Sequence, residues 1–573
     1  MTAERALYLP SERIIIMLRL VDSKQMKAID SHTINGLKIP SLVLMERAAY
    51  ATACVIAEDL GCVTGGRPVD GAADEKAVRQ QQKVIAVCGS GNNGGDGLAI
   101  VRILHTMGFE TSFFMAGDLS KATPETLRQL EILENMGIGD CGGIQAFAEA
   151  DALVDAIFGI GLMRPVGGTF AKVIEAMNAA PCPVYAVDIP SGISTDTGQV
   201  LGCGVRAVKT VTFGCQKLGL VLYPGADYAG QVVTADIGFP ELSVRQADIR
   251  TFAWERSDIH GNLPPRHAYS NKGTYGKVLV IAGSRNMGGA AYFSARAAYE
   301  TGCGLVRVLT VADNRTMLLT SLPEAVLSTY DSAAPDREVF LEALAWADSV
   351  VLGPGLTTQS YACEIVRCVM ENCTVPLVID ADGLNILAKH PELWELRKWE
   401  PAGQVPEAAP ALSEKTPEAA PALSEKMPEA APALLEKTLA PVIITPHLGE
   451  MSRLTGKPIP DIAGDLLDVC RDFASAHGVV CVLKDARTAI SDGVTAFINL
   501  SGNDGMATGG CGDVLSGIIG GFLASGMDAL KAASFGCFVH GCAGDLARNE
   551  KGAYGLLASD IIQYMSKVTK TRT

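Results

Sequence analysis

The chain reads as an α/β protein with two sheets, each built from strands and helices in alternation. Three observations predict this. Its 573 residues exceed one ordinary core, so two or more domains are expected. Short apolar runs of strand length alternate with stretches of helical periodicity, in one block that closes near residue 237 and in another that opens near residue 277. Several of these runs end in Gly, Asp, Pro or Ser, and in parallel sheets the ligands collect at such strand ends.

Residues 1–20 are an extension without an assignable pattern. From Val21 a helical pattern appears at Met26, Ile29 and Ile34, followed by a second helix over 41–60. The stretch 61–82 is glycine-rich, then charged, and reads as a loop. The first block continues with strands over 84–88, 111–115, 152–158 and 184–187, helices over 98–107, 124–136 and 173–179, and a closing strand over 232–237. A polar connector spans 239–265. In the second block strands are expected over 277–282, 305–310, 349–352, 375–379, 442–445 and 479–483, with a helix over 290–301 and long apolar helices from Val514 to the terminus. This second sheet is the larger.

Inside the second block, 406–416, 417–427 and 428–438 are near-copies of Pro-Glu-Ala-Ala-Pro-Ala-Leu-Ser-Glu-Lys-Thr. Two prolines per copy forbid a continuous helix, and apolar content beyond alanine is too slight for a core. The segment 403–438 therefore reads as a surface insertion.

Bulk composition narrows the function. Hydrophobic residues at 48% and charged residues at 19% are ordinary for a globular protein. A formal net charge of −15 argues against a nucleic-acid binder or a protein of anionic membranes. Sixteen cysteines without a CxxC pair, and no signal-peptide pattern, point to reduced thiols and a cytoplasmic protein. The apolar run 14–18 is far too short to span a membrane. Cys537, His540 and Cys542 have metal-ligand chemistry, but they lie in an apolar helical pattern without a fourth ligand, which favours core packing.

Two regions carry chemistry. In the first block, strand 84–88 runs into Gly89-Ser-Gly-Asn-Asn-Gly-Gly-Asp-Gly97, which satisfies a dinucleotide fingerprint. Asp96 would repel a pyrophosphate at close range, so Asn92, Asn93 and Asp96 suit hydroxyls, amides or a cation better. Another strand ends in Asp155-Ala-Ile-Phe-Gly159 and a third in Val187-Asp188-Ile-Pro-Ser191. One such end would be only a turn; three on one edge make a site.

In the second block, Thr508-Gly-Gly-Cys-Gly512 leads into an apolar helix, and Asp513 stands at its start. Backbone N–H groups at such a terminus bind phosphate oxygens. Asp513 would repel a phosphate, so it is either an N-cap or a base aimed at a substrate hydroxyl beside a bound nucleotide. Other strand ends carry Gly283, Gly355, Asp380, His447 and Lys484. A turn histidine and a buried cap are the plain alternatives for His447 and Asp380.

The motifs Asn92-Asn-Gly-Gly-Asp96, 155–165, Val187-Asp-Ile-Pro-Ser-Gly192, Phe213-Gly-Cys-Gln-Lys217 and Asp236-Ile-Gly-Phe-Pro240 resemble the NAD(P)H-hydrate epimerase domain, over about 21–240. The resemblance implies a Rossmann-like fold. It implies that Asn92, Asn93, Gly94, Gly95, Asp96, Gly159, Ile160, Gly161, Leu162, Met163, Arg164 and Pro165 contact the hydrated cofactor. Asn93, Asp155 and Ser191 would hold a potassium ion (K+). Asp188 would touch the hydrated ring and serve as acid and base for the C6 epimerisation.

From about 264 to 570, Met506-Ala-Thr-Gly-Gly-Cys-Gly-Asp-Val-Leu-Ser-Gly517 and the strand ends before it resemble the ADP/ATP-dependent NAD(P)H-hydrate dehydratase, a ribokinase-like family. By that resemblance Lys484, Asp485, Ala486, Arg487, Thr488 and Gly512 bind the adenine nucleotide with magnesium (Mg2+), and Ala290, Gly355, His447 and Asp513 line the hydrate. Asp513 would be the catalytic base of a phosphorylation-assisted dehydration. The family usually has glycine where Asp485 stands and threonine where Cys511 stands. The expectation is a bifunctional cofactor-repair enzyme with 241–263 as linker, acting on NADHX and NADPHX with ADP or ATP, without nucleic-acid or membrane partners, and forming a homo-oligomer. The alternative is a ribokinase-like kinase of a small alcohol, such as a thiamin precursor, with a ligand-binding first block.

Overall fold

The computed structural model describes residues 17–61, 82–397 and 440–570. The extension up to residue 16, the loop 62–81 and the repeat segment 403–438 lie outside the described residues. The chain divides into two compact units. One takes residues up to Asp258 together with 463–467 and 495–500; the other takes the remainder.

The first unit is organised by a six-stranded sheet in the order β3-β2-β4-β5-β6-β8, every pairing parallel. Its strands are β2 (Lys83–Cys88), β3 (Glu110–Met115), β4 (Ala152–Ala156), β5 (Val184–Val187), β6 (Lys209–Phe213) and β8 (Gln231–Ala235). Strands β4 and β5 are buried along their whole length and β2 is buried after Lys83, so they read as largely apolar runs rather than alternating ones. Helices Ser41–Asp59 and Asn92–Thr106 pack over one face, with Ile56, Leu98 and Ile100 fully buried beside Val84 and Val154. Helix Gly168–Ala179 covers the other through Val173, Ile174 and Met177. After β2 and β3 the chain returns to place β4 on the opposite side of β2, which makes the β2/β4 boundary a topological switch point. A smaller ribbon of the same unit runs β18-β9-β1-β7, built from β1 (Leu18–Val21), β7 (Gln216–Lys217), β9 (Thr251–Ala253) and β18 (Ala496–Asn499).

The second unit holds the strand order β12-β11-β10-β13-β14-β15-β16-β17. These are β10 (Lys277–Ile281), β11 (Leu305–Val311), β12 (Val326–Tyr330), β13 (Ser349–Leu352), β14 (Leu377–Ile379), β15 (Val442–Ile444), β16 (Val480–Leu483) and β17 (Thr488–Ser491). All pairings are parallel except β16 with β17. The switch point here lies between β10 and β13. Helices Gly288–Glu300 and Cys511–Ala524 lie together over the sheet, and Gly517 allows their close approach: a Cβ there would stand 2.1 Å from the Ser294 carbonyl oxygen.

The structure adds strands that the sequence reading did not mark, among them β1, β6, β9, β12, β17 and β18. It also replaces the polar connector with helix Glu241–Gln246, strand β9 and helix Ile259–Asn262. Among the described residues no helix is long and apolar enough to cross a membrane.

Candidate active sites

In the first unit β2 ends at Cys88 and the chain turns at Gly89, where a Cβ would lie 2.0 Å from the Ile157 carbonyl oxygen of the turn after β4. A Cβ at Gly94 would lie 1.8 Å from the Gly89 carbonyl oxygen. Both positions require glycine because backbone meets backbone. The helix begins at Asn92 rather than at residue 98, so Asn92, Asn93, Gly94, Gly95 and Asp96 form its first turns.

A cavity of about 170 Å³ opens there. Asn92, Asn93, Asp96, Gly159, Ile160 and Asp188 line it together with Met26, Asp30, Ile34, Met45, Phe213, Lys217 and Phe239. Gly94, Gly95 and the run Gly161, Leu162, Met163, Arg164 and Pro165 are not part of that lining. Met163, Arg164 and Pro165 are exposed.

Asp188 follows β5 with φ +67°, a region that non-glycine residues seldom occupy outside functional sites. Its Oδ1 accepts from the Lys217 ammonium at 2.5 Å, the Thr212 hydroxyl at 3.1 Å and the Phe213 N–H at 3.3 Å. Lys217 is wholly buried and also donates to the Phe213 carbonyl at 3.0 Å. Lys217 is buried and Asp188 half-buried, so loss of Asp188 would strand the lysine's charge. Burial, then the nearby Asp188 and Asp30 charges, push the Asp96 carboxyl well above the usual range. Burial and Asp188 lift Asp30 to about 6 against the opposing pull of Lys217.

Asp155 is fully buried. Its Oδ2 accepts from the Ser191 N–H at 2.7 Å and its Oδ1 from the Ser191 hydroxyl at 2.6 Å and the Ile157 N–H at 3.3 Å. Burial still raises it to about 6. The Ser191 hydroxyl also accepts from the Phe158 N–H at 2.8 Å. Asn93 packs against Gly159, and its side-chain nitrogen is buried without a hydrogen-bond partner.

In the second unit the ends of β14, β15 and β16 converge. Lys484 donates through its backbone N–H to the Pro446 carbonyl at 2.8 Å and pairs with His447 as a parallel bridge. Its ammonium lies 2.9 Å from Oδ1 of the buried Asp380, whose Oδ2 accepts from the Ser516 hydroxyl. Burial alone would raise Asp380, but Lys484 and Ser516 outweigh it and hold the carboxyl below its ordinary value. Burial likewise opposes the Lys484 charge, yet Asp380, Glu450 and Asp513 lift its pKa. Ala381 follows Asp380 with φ +50°, a strained backbone beside the charge cluster.

Helix Cys511–Ala524 starts after Gly510, which takes φ +92°. Gly512 stands close to the Lys484 ammonium: a Cβ there would be in van der Waals contact with it, at 3.4 Å. Asp513 stands in the first turn, where burial and then Asp380 push its carboxyl up to about 7. Gly355, with φ +62°, lies against Ala290: a Cβ there would come within 2.9 Å of the alanine methyl.

His447 caps helix Leu448–Thr455. Its Nδ1 accepts from the N–H groups of Gly449 at 2.9 Å and Glu450 at 3.3 Å, while the Glu450 carboxylate accepts from the His447 N–H at 2.9 Å. Nδ1 as acceptor leaves the proton on Nε2 in the neutral ring. Burial lowers the His447 pKa and raises Glu450 to about 7. Asp485 and Ala486 are exposed, Arg487 is half-buried, and Thr488 opens β17. Cys537, His540 and Cys542 are buried in helix Ala529–Lys551, where burial pushes His540 down to about 4.

The sequence reading assigned no role to Asp30, Lys217, Glu450 or Ser516. Two signals were present. Asp30 interrupts an apolar face at Met26 and Ile34, and Lys217 precedes the apolar run Leu218-Gly-Leu-Val-Leu222.

A family model described as YjeF-related protein N-terminus matches residues 41–219. A second, described as NAD(P)H-hydrate dehydratase, matches residues 278–401 and 422–567. The bifunctional NAD(P)H-hydrate repair enzyme Nnr of Thermofilum pendens is 35% identical over 500 residues, 84% of this chain and 87% of that protein. The enzyme of the same name from Moorella thermoacetica is 34% identical over 580 residues, 96% of each chain. That of Escherichia coli K12 is 33% identical over 490 residues, 84% of each.

Proposed function

The chain belongs to the family of bifunctional NAD(P)H-hydrate repair enzymes, and from that premise we propose how its residues divide the work. The protein interconverts the R and S hydrates of NADH and NADPH and dehydrates the S form with ADP or ATP. The epimerase domain is 21–240 and the dehydratase domain 264–570, with 241–263 between them and the repeat segment 403–438 as an insertion.

In the epimerase site the cofactor's hydrated ring enters the cavity beside Asp188, against Asn92, Asn93, Asp96, Gly159 and Ile160, while Gly94, Gly95 and Gly161–Pro165, outside that lining, are left to the rest of the cofactor. Asn93, Asp155 and Ser191 would hold a potassium ion through their side-chain oxygens, the donors such a cation takes, and the Asp155 carboxylate is buried without a cation within hydrogen-bond reach. Bound there, potassium would supply positive charge beside the ring.

In the dehydratase site Asp513 takes the proton of the C6 hydroxyl as that oxygen attacks the terminal phosphoryl group of the nucleotide. Phosphate then leaves with the C6–O electron pair, N1 donates its lone pair, and loss of a C5 proton restores the ring double bond. The N–H groups at the start of helix Cys511–Ala524 and the Lys484 ammonium steady the transferring charge. The Glu450 carboxylate near Lys484 is a hard oxygen donor that would suit magnesium carried in with the nucleotide. Lys484–Thr488 and Gly512 receive the nucleotide, and Ala290, Gly355 and His447 the hydrate. The observation that carries this reading is Asp513: a carboxyl tuned to about 7 at a glycine-opened helix terminus.

The test is absorbance at 340 nm with an R/S mixture of NADPH hydrate, magnesium, potassium, and ADP or ATP. Full recovery of NADPH is expected. Recovery that stops once the S form is spent would remove the epimerase, and none at all would leave a small-alcohol kinase.

A further inference from the structure

Helix Ser23–Ser31 is capped by Asp22 and continues through a wider turn, His32–Gly36. It presents Met26, Asp30 and Ile34 to the epimerase cavity at successive four-residue steps, which places them on one face. A carboxyl between two apolar residues on a half-buried face costs stability unless it is paired. Asp30 is not paired: the groups that act on it are the charges of Asp188 and Lys217, and no hydrogen bond is among them. Asp96 is half-buried on the same cavity, and no hydrogen bond is among the groups that act on it. The cavity thus carries three carboxyls, Asp30, Asp96 and Asp188, and one cation, Lys217, which Asp188 already occupies at 2.5 Å. Folding gives no reason for the two surplus carboxyls. Proton transfer does, because a reaction that delivers one proton and removes another uses two carboxyls on one cavity, and Asp188 is engaged by Lys217 at the sheet edge.

We propose that Asp30 is a further catalytic residue of the hydrate epimerase, an acid that works from the helix wall of the cavity while Asp188 works from the sheet edge. This rests on the reading of the first unit as the epimerase. Epimerisation at C6 needs one proton delivered and one removed. Asp30 gives its proton to the C6 hydroxyl, the C6–O bond breaks with its electron pair leaving as water, and the N1 lone pair closes a C6–N1 double bond. Water then adds to the opposite face, forming the new C6–O bond, and Asp188 takes the proton it loses. The reverse reaction exchanges the two roles, and solvent resets the protons.

The experiment uses the full chain and the interconversion of R and S hydrates, followed by chromatography in the absence of nucleotide. Asp30→Asn is expected to lower kcat about 100-fold with KM within about threefold of wild type. The fall of kcat/KM above pH about 6, set by the acid, is expected to vanish in that variant. Asp30→Glu is expected to restore most of the rate. If Asp30→Asn keeps its rate and its pH profile, the assignment is overturned. It is equally overturned if both variants lose rate together with substrate affinity and thermal stability, which marks a structural role. A wild-type chain that does not interconvert the hydrates sinks the epimerase reading itself.

Discussion

At the residue scale the dehydratase turns on Asp513. Its carboxyl has an ordinary value of 3.8 in the unfolded chain and about 7 in the folded one. Between those values the folded state holds the proton and the unfolded state has lost it, so stability falls as pH rises through that window and stays reduced above it. Catalysis needs the opposite condition, because only the ionised form can take the hydroxyl proton. Asp513→Asn should therefore lower dehydration by about 10³-fold or more, leave nucleotide binding in place, and raise stability above pH 7 by on the order of 1 kcal/mol. In the wild type kcat/KM for dehydration should climb about tenfold per pH unit up to about pH 7. Nucleotide titration, the pH–rate profile and thermal unfolding at pH 8 check these points, and full activity in the variant would remove Asp513 from the chemistry.

At the element scale, the strand ends decide what reaches each site. At Gly89 and Gly94 backbone comes too close for a side chain, and Gly510 takes φ +92° against the Phe293 ring, which is why these turns stood out as glycine runs. The repeat segment meets the fold between Arg397 and Ala440. Arg397 is buried and donates to the Cys373 carbonyl, to the Val375 carbonyl at 2.8 Å and to the Ala440 carbonyl at 3.1 Å. Arg397 and Ala440, the described residues on either side of that segment, are thereby joined directly. Removing 403–438 should leave dehydration within about twofold and the unfolding midpoint within a few degrees, since loop length alters closure entropy only slowly. A deletion variant that folds but loses dehydration would give the repeat a catalytic role.

At the scale of the whole molecule, the first unit is not contiguous in sequence. Strand β18 lies near residue 497 yet pairs in parallel with β9, Ala496 opposite Thr251. Phe497 stacks on Trp254 with ring centroids 5.5 Å apart and planes 12° from parallel. A fragment ending at residue 263 keeps β9 and Trp254 but loses both partners, which opens a strand edge and an aromatic face. Such a fragment should unfold several degrees below the first transition of the intact chain and self-associate. Scanning calorimetry and size-exclusion chromatography read both, and a monomeric fragment with unchanged stability would show that β18 is dispensable.

The sequence by itself determined the two alternating blocks, the turns at the strand ends and the family motifs. All of these are local: buried central strands are largely apolar runs, and glycine turns announce themselves by composition. Weakly apolar or short strands escaped, such as β12, an edge strand with four of its five residues not fully buried, and β9 with three residues. Only the tertiary structure decided which distant residues meet. Asp30 comes from a helix before the sheet and Lys217 from a ribbon after β6, yet both face Asp188 because the helix and the strand edge close on one cavity. Asp380, His447, Lys484 and Asp513 are likewise spread over more than a hundred residues and joined by parallel strand order. Their charges shift one another's protonation only at that distance, since electrostatic coupling in a buried site depends on separation in space and not along the chain.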